Sequence, residues 1–312
     1  MYPWLIPITL QLYQRAFHEQ MHHALLLKGQ EGIGKTELAQ DLARYLLCSN
    51  KQQKLACGQC QACKLYKAGS HPDFHEIESD KQIGVDQVRE AIKKLLGTAQ
   101  LSGSKVLVIY AAHTMTESSA NALLKTLEEP TKNTYLLMIS SKPERLLPTI
   151  LSRCEKVLLP SPDINATTEW LKTKGFADVE PKFMRLYPGS PLMLLNELQV
   201  EQSFNYQQFL QGLESLLSQQ GNVAELSSKW QEHAEKVIKW LQYWLLDHMK
   251  SSPEMMESLW SLHEASAKAV KALRNPGINK TLLLANLLNA LVLLQKEPTQ
   301  NVAKFSKVTS FR

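Results

Sequence analysis

The first half of the chain alternates short apolar runs with longer stretches whose apolar residues recur at three- and four-residue spacing. The runs at 24–27, 106–111 and 135–140 lack the polar alternation of a half-exposed sheet, so with a fourth strand candidate at 74–78 they predict parallel strands covered on both faces. Between them, 37–47, 85–96 and 118–127 predict helices, which makes the first half an α/β pattern. After Pro160-Ser-Pro162 the strand candidates disappear. Short helices are predicted at 167–174, 181–186 and 192–197, punctuated by Pro188-Gly-Ser-Pro191. Longer ones follow at 204–217, 223–249, 254–273 and 280–294, with Pro253, Pro276 and Gly277 between them. This second half reads as a helical bundle that packs against itself or partners. Trp230, Trp240, Trp244 and Trp260 fit its core or an interface better than base-stacking platforms. The polar, basic tail after Pro298 is expected to be mobile.

Chemistry enters where the first strand meets the first helix. Residues 29–36 read Gly29-Gln-Glu-Gly32-Ile-Gly34-Lys35-Thr36, a complete phosphate-binding loop in the confirming order strand, loop, helix. Its glycines let backbone amides wrap phosphates, the lysine reaches the outer phosphates, and the threonine hydroxyl ligates magnesium. Hydrolysis requires in addition a strand-terminal acid for the metal, usually followed by a second acid that orients water. The strand that should supply them ends Ile109-Tyr110-Ala111-Ala112. Asp73, Asp86 and Glu117 are conceivable substitutes, but none directly follows that strand. The pattern predicts binding of ATP or ADP without turnover, or a loop retained for its shape.

Cys48, Cys57, Cys60 and Cys63 follow the spacing C-x8-C-x2-C-x2-C. The two-residue gaps let successive thiolates turn back on one ion, and the helix ending near Cys48 supplies the fourth ligand of a structural zinc. Disulfides and free buried thiols are the alternatives. Four sulfurs close the coordination shell, leaving no position for a catalytic water. Cys154 stands apart.

The 312 residues suit two or three domains. A net charge of +5, from 35 basic and 30 acidic residues, permits contact with nucleic acid without demanding it. Pro3, Pro7 and Gln11 interrupt the apolar N-terminus, which argues against a signal peptide. The longest apolar stretch, 282–294, is shorter than the roughly 20 residues a bilayer requires. A soluble cytoplasmic protein without a membrane partner is expected.

Three further segments carry a resemblance: Asn121-Ala-Leu-Leu-Lys-Thr-Leu-Glu-Glu-Pro130, Arg145-Leu-Leu-Pro-Thr-Ile-Leu-Ser152-Arg153-Cys154, and His71-Pro-Asp73 just after the cysteines. Together they resemble the clamp-loader subunits of bacterial DNA polymerase III, strongly over roughly residues 20–160. The resemblance implies an AAA+ fold: a RecA-like domain at 1–161 with a zinc module at about 48–70, a small helical lid at 162–202, and an all-α collar at 203–312. It implies gamma/tau motor subunits and a delta subunit as partners in a hetero-pentamer, which loads a sliding clamp onto primed DNA. In that family the Ser-Arg-Cys arginine enters the ATP site of a neighbouring subunit, a role that would fall to Arg153. An ordinary surface arginine is the alternative. Lys125, Glu128 and Glu129 are implied in subunit contacts, whereas Ala120, Ala122, Leu123 and Leu127 have the spacing of a buried helix face. This chain departs from active motors at Tyr110 and Ala111, and at Leu192, where they carry a lid arginine. An autonomous ATPase with displaced acids and a zinc-dependent nucleic-acid reader remain as other functions. For the latter, Lys51, Lys54, Lys64 and Lys67 offer charge, but only Tyr66 offers an aromatic surface.

Overall fold

The computed structural model describes residues 1–296 except 102, 178, 180, 200–203, 274 and 276, so the tail after Pro298 lies outside the described residues. Strands β1 (Ala24–Lys28), β2 (Phe74–Ile77), β3 (Lys105–Ile109), β4 (Thr134–Ser140) and β5 (Glu155–Leu158) pair in parallel in the order β2-β3-β4-β1-β5. The absence of polar alternation has a direct cause. Leu25, Leu27, Val106 and Val108 enter one core with Leu12, Tyr13, Leu42 and Leu46 of helices α1 (Ile6–Phe17) and α2 (Lys35–Leu47). Ala24, Leu26, Leu107 and Ile109 enter the opposite core with helices α4 (Val85–Leu96) and α5 (Glu117–Glu128), α3 (Gln61–Lys67) lying in the cysteine insertion. Alternate side chains point to opposite faces, and both faces are covered.

Besides the 3-10 turns, α1, α3, β5 and a four-residue helix at Pro148–Leu151 are additional to the elements the pattern predicts. The prolines that interrupt the N-terminus stand at the opening turns of a 3-10 segment and of α1, where the missing N–H has no intrahelical partner in any case. Strand β5 is a short edge strand with two charged residues, one of which, Glu155, pairs with Arg15 of α1. Helix α6 (Pro148–Leu151) precedes it, and α7 (Ile164–Thr173), α8 (Pro181–Met184) and α9 (Pro191–Gln199) follow. Asp163 caps α7 by accepting from the Ala166 N–H at 2.7 Å, which moves its start three residues ahead of the predicted one.

The chain divides into two compact units, Met1–Leu198 and a second beginning at Gln199. The second is helical: α10 (Tyr206–Leu217), α11 (Val223–Trp230), α12 (Ala234–Ser251), α13 (Met256–Ala272) and α14 (Lys280–Lys296). The single helix predicted over 223–249 is broken by a 3-10 turn at Gln231–His233. Ten residues along one straight helix would set Trp230 and Trp240 about 80° apart around its axis. The break turns both onto Phe209, at ring separations of 5.5 and 5.6 Å. Gly212 is required beneath Trp230, because a Cβ there would lie 2.4 Å from the indole. Trp230 and Trp240 are buried, whereas Trp244 is half-buried and stacks on His248, and Trp260 is exposed.

Candidate functional site

The phosphate loop leaves β1 and enters α2 through two glycines in left-handed conformation, Gly32 at φ 75° and Gly34 at φ 96°. Side chains would be strained there and would also collide, with Met193 at Gly32 and with Tyr2 at Gly34. Lys35 is buried and turned into its own loop, donating to the Gly29 carbonyl at 3.0 Å and the Gln30 carbonyl at 2.6 Å. Burial lowers its pKa to about 8, against the opposing pull of Glu31 and Glu37. Thr36 remains exposed. The loop is also held from outside. The Trp4 indole donates to the Ile33 carbonyl at 2.9 Å, and the Leu192 N–H donates to the Gly32 carbonyl at 3.0 Å. Tyr2 stacks on Trp4, and Trp170 of α7 packs edge-on against both. Only tertiary packing brings these aromatic residues to the loop. Their sequence neighbourhoods carry no phosphate-site signal.

The parallel order puts the carboxyl end of β3 beside the loop, as in other open α/β sheets. Tyr110 fills the place of the metal-binding acid. Its hydroxyl donates to Glu76 at 3.1 Å and accepts from the Gln40 amide at 3.1 Å, and burial pushes its pKa up to about 12. A neutral phenol stands there at physiological pH. Ala111 follows at φ 44°, a left-handed conformation uncommon for alanine. The three acids considered from sequence do not line the resulting cavity of about 500 Å³. Asp73 is buried and accepts the N–H groups of Gln100 and Leu101, Asp86 lies exposed near Arg89, and Glu117 opens α5. The carboxylates that do line it are Glu31, Glu37 and Glu78. Glu78 was missed by sequence reasoning, although its place directly after a strand at the sheet's carboxyl edge is the available signal. Leu192 lines the cavity too.

Arg153 follows α6 and is not part of this cavity. Its Nε donates to Glu128 Oε1 at 2.8 Å and its Nη1 to the Thr149 carbonyl at 3.1 Å, with the side chain about one-third exposed (34%). It lies on an accessible surface beside α5, where Lys125, Glu128 and Glu129 are also exposed. Ala120, Leu123 and Leu127 form that helix's buried face, with Ala122 half-buried.

The four sulfurs of Cys48, Cys57, Cys60 and Cys63 lie within 4.8 Å of one another. Cys48 ends α2, Cys60 caps α3, and Gly58, at φ 72°, turns the chain between them. Sulfur separations of 3.5 Å for Cys48–Cys57 and 3.9 Å for Cys48–Cys60 bracket the edge of about 3.8 Å expected of a tetrahedron with 2.3 Å zinc–sulfur bonds. The N–H groups of Cys57, Cys60 and Cys63 donate to the sulfurs of Cys48, Cys57 and Cys60 respectively, an arrangement that favours thiolates. This group could hold one zinc ion. Cys154 is separate and buried, and its thiol is pushed up to about 12 by burial.

A family model described as DNA polymerase III, delta subunit, matches residues 7–163, and one described as the C terminal of that subunit matches 201–273. The chain is 42% identical over 237 residues to the DNA polymerase III subunit delta-prime of Pseudomonas aeruginosa, which covers 73% of this chain and 71% of that protein. It is 36% identical over 255 residues to the Escherichia coli K12 protein of the same name, covering 80% and 76%. A crystal structure of a DNA polymerase III gamma subunit-related protein from Thermotoga maritima matches at a TM-score of 0.53 over 92% of this chain and 99% of that one. At 18% identity this shows a shared fold. No helix among the described residues is long and apolar enough to cross a membrane.

Proposed function

The chain belongs to the DNA polymerase III delta-prime subunit family, and from that membership we propose that it is a non-hydrolysing subunit of the replicative clamp loader. It works beside gamma/tau motor subunits and a delta subunit in a hetero-pentamer that places the sliding clamp on primed DNA. The observation that carries the reading is Tyr110: the end of β3 presents a neutral phenol, tied to Glu76 and Gln40, where a motor needs a carboxylate. Gly29, Gly32, Gly34, Lys35 and Thr36 hold ADP or ATP without turning it over. Cys48, Cys57, Cys60 and Cys63 hold a structural zinc, whose contribution is to the folding of the insertion. The chain is organised as a RecA-like domain at 1–161, a lid at 162–202 and a collar at 203–312.

Its contribution to chemistry is in trans. Arg153 is accessible, permanently charged and outside the chain's own loop cavity, which suits a guanidinium that reaches the outer phosphate in a neighbour's site. There it offsets charge developing in the transition state, an effect worth about 10³ or more in rate at that site. Nucleotide at that shared site favours the ring geometry that grips clamp and DNA, and hydrolysis releases both.

The test is the clamp- and primed-DNA-stimulated ATPase of a loader reconstituted with motor and delta subunits, comparing this chain with Arg153→Ala in assemblies of equal integrity. Loss of one site's turnover is expected. An unchanged rate would leave this chain a structural member only.

A further inference from the structure

A phosphate loop that has lost its strand-terminal acid still needs something to hold the magnesium that accompanies a nucleotide's phosphates. We propose that Glu78 is the carboxylate that holds the magnesium of a nucleoside di- or triphosphate in this chain, replacing the acid missing from the end of β3. The inference rests on the reading that the loop takes ADP or ATP.

The sheet register carries it. Ile77 of β2 lies opposite Ile109 of β3, so the next residues, Glu78 and Tyr110, leave adjacent strands side by side at the carboxyl edge. Strand β2 lies on the far side of β3 from the loop, about 4.8 Å farther out than the strand that usually carries the acid; the extra methylene of glutamate spans part of that distance and a magnesium-bound water the rest. Glu78 and Thr36 line the same cavity, which supplies both partners that a P-loop magnesium takes from protein. The neighbouring acid, Glu76, is engaged by the Tyr110 hydroxyl. The Glu78 side chain has no hydrogen bond or ion pair among the described residues and is exposed. Magnesium is commonly held by one or two carboxylates together with substrate phosphates and water, so a single glutamate suffices.

The charges facing the cavity agree. Glu31, Glu37 and Glu78 oppose Lys35 and Lys142, and the remaining titratable groups are the neutral Tyr110 phenol and His113, whose pKa is lowered by burial and by Lys142 and Arg145. Three carboxylates repel a bare polyphosphate, whereas a magnesium ion bridging Glu78 and the phosphates relieves that repulsion. Glu37 is engaged by the Tyr2 hydroxyl at 3.0 Å, which leaves it poorly placed for the task. Turnover still does not follow, because no second acid stands at the end of β3 to orient water.

The test is equilibrium binding of a fluorescent ADP analogue to the full chain, by anisotropy, in excess magnesium and in excess EDTA, for the wild type and for Glu78→Gln. Glu78 is exposed, so the variant is expected to fold, and its thermal unfolding is checked alongside. The wild type should bind about 10-fold or more tightly with magnesium than with EDTA. Glu78→Gln should bind equally in both, at the wild type's EDTA affinity. Magnesium-dependent binding that persists in the variant overturns the inference. So does wild-type binding that ignores EDTA, which would make Lys142 the substitute cation while the nucleotide reading survives. If the analogue binds under neither condition, the nucleotide reading falls and takes the inference with it.

Discussion

Arg153 and Glu128, 25 positions apart in sequence, meet on the surface, where two nitrogens of the guanidinium share the Oε1 atom of the carboxylate. Both side chains are substantially exposed, so the pair contributes at most about 1 kcal/mol to folding. A double-mutant cycle of Arg153→Ala and Glu128→Ala in denaturant unfolding should return a coupling energy below about 1 kcal/mol. A coupling of several kcal/mol would mark Arg153 as a structural residue and weaken the case for its action in trans.

Asp73 should be far less tolerant. It is buried (3% exposed), and its two oxygens accept from the N–H groups of Gln100 at 2.7 Å and Leu101 at 3.0 Å, tying the loop after α4 to the start of β2. Asp73→Ala leaves both donors without their charged acceptor, and a loss of about 3 kcal/mol is expected from chemical denaturation. A loss below about 1 kcal/mol would mean that the loop finds other acceptors.

Metal analysis of the purified chain should find one zinc per molecule. Removing it with a chelator, or replacing Cys60 by serine, should expose the insertion between α2 and β2 to proteolysis while the sheet stays folded. The reason is local: Cys48 and Cys63 pack on the main core, but Cys57 and Cys60 are only partly buried. Proteolysis unchanged by metal removal would show that packing alone holds the module.

Lys35 makes stability depend on pH. Its folded pKa, about 8, lies below the ordinary 10.5, so between these values the unfolded chain binds more protons than the folded one. Stability attributable to Lys35 therefore rises as the pH rises through that interval, while the burial penalty applies in full below about 8. Measured against Lys35→Met, the wild type should gain stability between about pH 8 and pH 10. A difference independent of pH would mean that the ammonium leaves its carbonyl partners and titrates as a solvated lysine.

Much of this protein is determined by local order in the sequence. Uninterrupted apolar runs specified β1, β3 and β4, because a parallel strand buried on both faces has no polar position to alternate with; β2, an edge strand, carries His75 and Glu76. The loop glycines and the cysteine spacing were legible because backbone conformation and metal geometry impose fixed intervals. The α1 helix could have been read from the three- and four-residue spacing of Thr9, Leu12, Tyr13 and Ala16 once its early proline is recognised as an opening-turn residue. Strand β5 could not, since four residues with two charges look like a loop until Arg15 is brought to Glu155. The break in the helix predicted over 223–249 belongs to the same class, because the local spacing carries no sign of it and the contacts of Trp230 and Trp240 with Phe209 are made from outside that segment. What tertiary structure alone decided is the surroundings of the phosphate loop. Tyr2, Trp4, Trp170 and Leu192 arrive from far along the chain, and Glu78 becomes Tyr110's neighbour only through the pairing of β2 with β3. Local pattern records which residues must be buried or turn, but which remote side chains share a cavity is decided when the sheet and helices pack.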